Sequence, residues 1–201
     1  IDPPGAQTTF SSVGTPRGLA FDDACNLYVA DGTSRAIIKI TPSGVQSTFA
    51  SGLNDPRGIA FDSAGNLYVC NAGANEILKF TPAGVQSTFA SGLDRPADIA
   101  FDQAGNLFES NRLGGSILKF TPSGVQSTFA SGLNLPAGLA FDSAGNLFEV
   151  NQDSPSVLQF ASDATCQTFS LLDPSAVPLS VSVVRHDTLL PNLRPCRGCC
   201  L

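Results

Sequence analysis

Glu109 and Glu149 occupy the same position in successive copies of a 40-residue repeat, and an asparagine, Asn111 or Asn151, follows each two residues later. The two preceding copies hold Val29 and Val69 there, followed by Asp31 and Asn71. Carboxylate and amide oxygens at a constant spacing are the donors that a hard cation such as calcium takes. On a strand, side chains two apart share a face, so each Glu-x-Asn pair could turn its oxygens to one place. The expectation is that any metal or active site lies where Glu109, Asn111, Glu149 and Asn151 meet near the repeat axis, with Asp31 and Asn71 in the same ring of oxygens. The competing readings are structural. An Asx side chain caps its own loop through a local backbone bond. A glutamate on an open sheet face is simply solvated, whereas a carboxylate replacing Val inside packing is costly unless paired.

Other candidates for chemistry are fewer. Arg17 and Arg57 directly follow Pro16 and Pro56, and Arg112 sits in a loop, so the three could meet an anionic ligand or stand as solvated rim charges. The single histidine, His186, lies near the C-terminal end, which disfavours a triad or a histidine-ligated zinc. No Gly-x-Ser-x-Gly elbow occurs. Cys196-Arg-Gly-Cys199-Cys200 has one CxxC spacing and no second pair, so it is weak evidence for zinc. Cys25, Cys70 and Cys166 fall at different repeat positions, so no recurring disulfide follows.

The elements that position these residues are legible from the repeat itself. FDDACNLY, FDSAGNLY, FDQAGNLF and FDSAGNLF begin at Phe21, Phe61, Phe101 and Phe141, and VQSTFASGL occurs unchanged at Val45, Val85 and Val125. Each unit has four short apolar runs; in the second these are GIAFD, LYVC, ILKFT and VQSTFA. Such runs, rich in Phe, Val, Ile, Leu and Thr and bounded by turn residues, are strands. Asp-Ser-Ala-Gly-Asn and Thr-Pro-Ala-Gly each supply a glycine for a tight reversal. Four antiparallel strands per roughly 40 residues make a β-propeller blade, and one blade cannot bury both of its faces alone. The fold class read here is all-β, a propeller with four recognisable four-stranded blades, either an incomplete ring or a four-bladed ring with a spare strand.

The string PRGIAFDSAGNLYVCNAGANEILKF resembles an NHL repeat, and the resemblance extends over all four units. It implies a propeller related to gluconolactonase-type lactonases, streptogramin lyases and many binding or sensor domains, usually with six blades where only four are written here. Fold alone does not choose among those functions.

Three regions follow: 1–13 with an outer-strand-like QTTFSS segment, 14–170 with the four blades, and 171–201, an irregular tail or decayed partial blade. The start at Ile1 and the lack of methionine read as a fragment or a processed chain. Low lysine with abundant Ser, Thr, Asn and Gly leans toward a secreted or extracytoplasmic protein. A net charge of −6 argues against a nucleic-acid track, and no apolar run approaches the roughly 18 residues of a membrane span. Between copies the hairpins DSAGN and TPSGV barely change, while DGTSRA, NAGANE, NRLGGS and NQDSPS differ. Divergence on one face fits a small-molecule or protein ligand there, and equally fits drift in tolerant loops. The leading expectation is a noncatalytic scaffold binding through that loop face. The rival is a calcium-dependent lactonase or related hydrolase at the channel, and an exposed blade edge would favour self-association.

Overall fold

The computed structural model describes residues 9–162. Every apolar run in that span forms a strand. The first blade is β1 (Pro16–Phe21), β2 (Leu27–Asp31), β3 (Ala36–Ile40) and β4 (Gln46–Ala50). The second is β5 (Pro56–Phe61), β6 (Leu67–Asn71), β7 (Glu76–Phe80) and β8 (Gln86–Ser91). The third is β9 (Pro96–Phe101), β10 (Leu107–Asn111), β11 (Ser116–Phe120) and β12 (Gln126–Ser131). The fourth shows β13 (Pro136–Phe141), β14 (Leu147–Asn151) and β15 (Ser156–Phe160). Each sheet is an antiparallel meander in chain order, and one 3-10 turn at Ala72–Ala74 is the only helical element among the described residues. The outer strand expected at Cys166–Ser170, the region 171–201, and Gln7 and Thr8 of QTTFSS lie outside the described residues. Thr9–Ser12 pair in no sheet among the described residues; instead the Gln46 amide donates to Ser11 Oγ and to the Ser12 carbonyl at 3.0 Å.

The inner hairpin is built by its aspartate. Asp62 Oδ1 accepts the backbone N–H groups of Ala64 (3.0 Å) and Asn66 (2.8 Å), and Oδ2 accepts the Asn66 side-chain N–H at 2.8 Å. The same bonds recur at Asp22, Asp102 and Asp142. Gly65 takes the left-handed conformation at φ 75°, and Cys25 holds the equivalent place at φ 60°. Asp62→Ala removes all three bonds from a half-buried turn. It is expected to cost about 1–2 kcal/mol, read as a lower urea midpoint at unchanged slope. A loss under about 0.3 kcal/mol would mean that the glycine alone sets the turn.

The core is the space between blades. Tyr28, Ala30 and Ile37 of the first blade pack on Ile59, Leu67, Val69, Leu78 and Phe80 of the second. The equivalent residues 40 positions on form the next two interfaces. Rings meet edge-on within each: Tyr28 lies 5.1 Å from Phe49 and 5.0 Å from Phe61, and Tyr68 and Phe108 repeat the arrangement. Edge-to-face contact suits aromatic quadrupoles and adds to the area buried.

The inner strands stand side by side, β1 against β5, β5 against β9 and β9 against β13, and the ring is not closed. The two ends are correspondingly bare. Leu19 is 66% exposed, against 6% for its sister Ile59, and Val157 is 60% exposed where Ile117 is fully buried. No helix among the described residues is long and apolar enough to cross a membrane.

Candidate functional site

The residues at the end of each second strand serve as clamps. Asn71 Oδ1 accepts the Asn54 backbone N–H at 2.6 Å, Asn111 Oδ1 that of Asp94 at 2.6 Å, and Asn151 Oδ1 that of Asn134 at 2.9 Å. Each bond ties a second strand to the interblade loop 17 residues earlier. Asp31 accepts Thr15 N (2.6 Å), Thr33 N (3.1 Å) and Ser34 Oγ (2.6 Å). Burial raises the Asp31 pKa, but these donors outweigh it and leave it lowered to about 2. The oxygens that a cation would need here already accept hydrogen bonds. No group of three His, Cys, Asp or Glu side chains among the described residues is placed to hold a metal ion. The described residues therefore do not fit a calcium ion at this ring.

Glu109 and Glu149 are fully buried, which corrects the solvated alternative. None of their carboxylate oxygens has a hydrogen-bond partner. They also lie apart, in successive interfaces. Glu109 shares its face of β10 with Leu107, packed against the second blade, and Glu149 shares its face of β14 with Leu147, packed against the third. The sequence-derived group of Glu109, Asn111, Glu149 and Asn151 is thus not one cluster. Burial pushes the Glu109 pKa well above the carboxylate range and that of Glu149 up to about 7, the latter opposed by the Ala137 backbone. Across the interface from Glu109 is Cys70, whose thiol is pushed up by burial and then by the charges of Glu109 and Asp98. The repeat places Ser110 opposite Glu149, and Ser110 Oγ donates to the Ala137 carbonyl at 2.6 Å. Where Val69 occupies the glutamate position, the facing residue is Ala30.

A groove forms where the inner strands bulge. Pro56 pairs with Asn71 and Ile59 with Val69, so three steps along β5 match two along β6, and the extra residue falls at Arg57–Gly58. The same shift sits at Arg17–Gly18, Ala97–Asp98 and Ala137–Gly138. A bulge re-aims side chains out of the regular alternation. These eight residues line a groove of about 340 Å³ along the inner strands. Glycine at 18 and 58 permits the close approach: a Cβ at Gly18 would collide with the Arg57 carbonyl, and one at Gly58 with the backbone of Asp98.

Charge in the groove is uneven. Asp55, in the interblade loop, receives three arginines: Arg17 Nη2 at 3.3 Å, Arg57 Nη2 at 3.1 Å and Arg95 Nη2 at 3.3 Å. Burial raises the Asp55 pKa, and the Arg57 hydrogen bond with the charges of Arg57 and Arg17 overcomes that and lowers it. Asp98 lies along the groove from these arginines. It accepts the Leu139 N–H at 2.9 Å, and burial raises its pKa. Arg112 is outside the groove, on the same loop face, with Nη2 and Nε donating to Gln152 Oε1 at 2.8 and 3.2 Å.

The NHL repeat family matches residues 53–80, which run from the loop before β5 to the end of β7. Residues 53–80 thus match an NHL repeat, and the other three units carry the same pattern at 40-residue spacing. No curated protein matches the sequence. Among solved structures, the propeller is similar to virginiamycin B lyase from Staphylococcus aureus, at 15% identity and TM-score 0.62, covering 75% of this chain and 57% of that one. It is similar to a gluconolactonase from Xanthomonas campestris at 20% identity and TM-score 0.67, covering 74% and 59%. A nidogen/laminin complex matches at 25% identity and TM-score 0.60, covering 73% and 64%. The chain therefore spans under two thirds of each of these solved chains.

Within the blades, sequence alone pointed to Arg17 and Arg57 and missed Asp55, Arg95 and Asp98. Asp98 carried a visible signal, because Pro-x-Gly in three copies becomes Pro96-Ala97-Asp98 in the third. Asp55 and Arg95 are the same repeat position, 40 apart, and their charge reversal is also visible; only the folded arc shows that they pair.

Proposed function

We propose that this NHL propeller is a binding scaffold whose ligand sits on the face carrying the interblade and β2–β3-type loops. The observation that supports it is a coincidence of divergence with concavity. The copies differ at positions 17, 55, 57, 95, 98 and 112; Arg17, Arg57 and Asp98 line the groove, Asp55 pairs with both of its arginines, and Arg95 joins them through Asp55. The hairpins of the opposite face repeat almost unchanged. Pockets with a few convergent polar groups are the usual small-ligand sites. Similarity to a virginiamycin B lyase and a gluconolactonase supports the fold, and among the described residues no group of three His, Cys, Asp or Glu is placed to hold a metal ion.

The test is a thermal-shift screen with small molecules, including lactones with calcium or chelator. It compares the parent with a loop-face variant, Arg17→Ala, Arg57→Ala and Arg112→Ala, and a hairpin-face control, Ser63→Gln. Expected is a ligand whose shift the loop-face variant loses and the control keeps. Calcium-dependent turnover of a lactone would replace this reading with a hydrolase. A shift lost only in the control would move the binding surface to the other face.

A further inference from the structure

We infer that the groove along the bulged inner strands is an oxyanion subsite, in which Arg17 and Arg57 together hold a carboxylate or phosphate group of a small ligand. The inference rests on the loop-face reading and names its ligand class. Three features carry it. The bulges put both arginines on the groove wall, at successive copies of one position, where the third and fourth copies have Ala97 and Ala137. The small alanines leave the space that the arginines face, and about 340 Å³ holds a small organic acid or a phosphate ester.

The second feature is a charge imbalance. Asp55 is the single carboxylate that Arg17, Arg57 and Arg95 share, so even with Asp98 in the groove two carboxyls answer three guanidiniums. This happens in a chain of net charge −6, where carboxylates are in excess. The third feature is preorganisation. Arg57 has a side chain only 18% exposed and is held through both Nε and Nη2 by Asp55, so its fork is fixed before a ligand arrives. A guanidinium whose plane is already fixed loses little entropy when its remaining N–H groups meet an oxyanion. Asp98, the one carboxyl lining the groove, opposes a bare anion and favours a ligand with a hydroxyl or amine beside its acidic group.

The experiment uses the full chain and two probes, inorganic phosphate and succinate, followed by calorimetric titration and thermal shift, with sodium chloride at matched ionic strength as reference. Expected is saturable binding of at least one probe that chloride does not reproduce; which one binds tells phosphate from carboxylate. Arg17→Ala and Arg57→Ala should each weaken it about tenfold, the usual loss for one charge-assisted contact. Arg17→Lys should recover part of the affinity, and Asp98→Asn should tighten it. Ser63→Gln, on the opposite hairpin face, should leave it unchanged. Should Arg57→Ala prove unfolded, Arg17→Ala decides, because Arg17 is 39% exposed and carries no core packing. The inference is overturned if stabilisation merely follows ionic strength, or if Arg17→Ala binds as the parent does. If both probes fail while another ligand is lost with Arg112→Ala, the oxyanion subsite is wrong and the loop-face reading stands. If no ligand depends on any loop-face residue, both fall.

Discussion

Replacing Glu109 and Glu149 together with valine, the residue at positions 29 and 69, is expected to raise the melting temperature by roughly 5–10 °C at pH 8, and by much less at pH 4. Both carboxyls are fully buried with no hydrogen-bond partner, each facing a neighbouring blade. Their folded pKa values are raised, Glu149 to about 7 and Glu109 further, so the folded state holds protons that the unfolded state releases. Below the unfolded value near pH 4.5 the groups are neutral in both states and cost little beyond polar burial. As pH rises through 4.5 toward 7, the unfolded chain ionises first, and stability falls; for Glu149 the loss is complete above about pH 7, and for Glu109 it continues higher. An unpaired buried carboxyl costs on the order of 1–3 kcal/mol, which the double substitution returns. One kcal/mol moves the midpoint by roughly 2–4 °C in a chain of this size. Thermal unfolding from pH 4 to 8 would read this. A double variant that is less stable, or equally shifted at all pH values, would mean that the carboxylates are bound or paired in solution.

The second large effect is at the middle interface. Phe120→Ala should cost about 3–5 kcal/mol, the usual range for a buried phenylalanine. Phe120 is 1% exposed, contacts Phe89 edge-on at 5.5 Å, and packs with Leu107, Leu118 and Tyr68 between the second and third blades. Phe160, its sister in the fourth blade, makes the same kind of contact with Phe129 but is 7% exposed, beside a blade whose other face is open. Phe160→Ala should therefore cost less. Urea unfolding of the two variants separates the cases. Equal losses would show that the arc behaves as a chain of identical interfaces, and a loss under about 1 kcal/mol for Phe120→Ala would mean that the interface collapses to fill the space.

The strands, their order within a blade and the inner hairpin are legible in the residues alone. All of these are local: Asp62 and Asn66 are four residues apart, and the pairing of β5 with β6 follows from a short turn and alternating side chains. The sequence also separated the two faces, because turn chemistry repeats where backbone geometry demands it and drifts elsewhere. Tertiary structure alone decided the site. A period of 40 residues is the same whether or not an inner strand carries one extra residue, yet that bulge aims Arg17, Arg57 and Asp98 into the groove. The pattern Glu-x-Asn, repeated 40 residues apart, reads as one constellation, but each copy stands on its own blade. Each blade turns this face to the blade before it, so Glu109 and Glu149 enter different interfaces, while the asparagine oxygens reach back 17 residues to the interblade loops. Burial of a carboxylate and sharing of one aspartate by three arginines are matters of distance between blades, which the repeat does not encode.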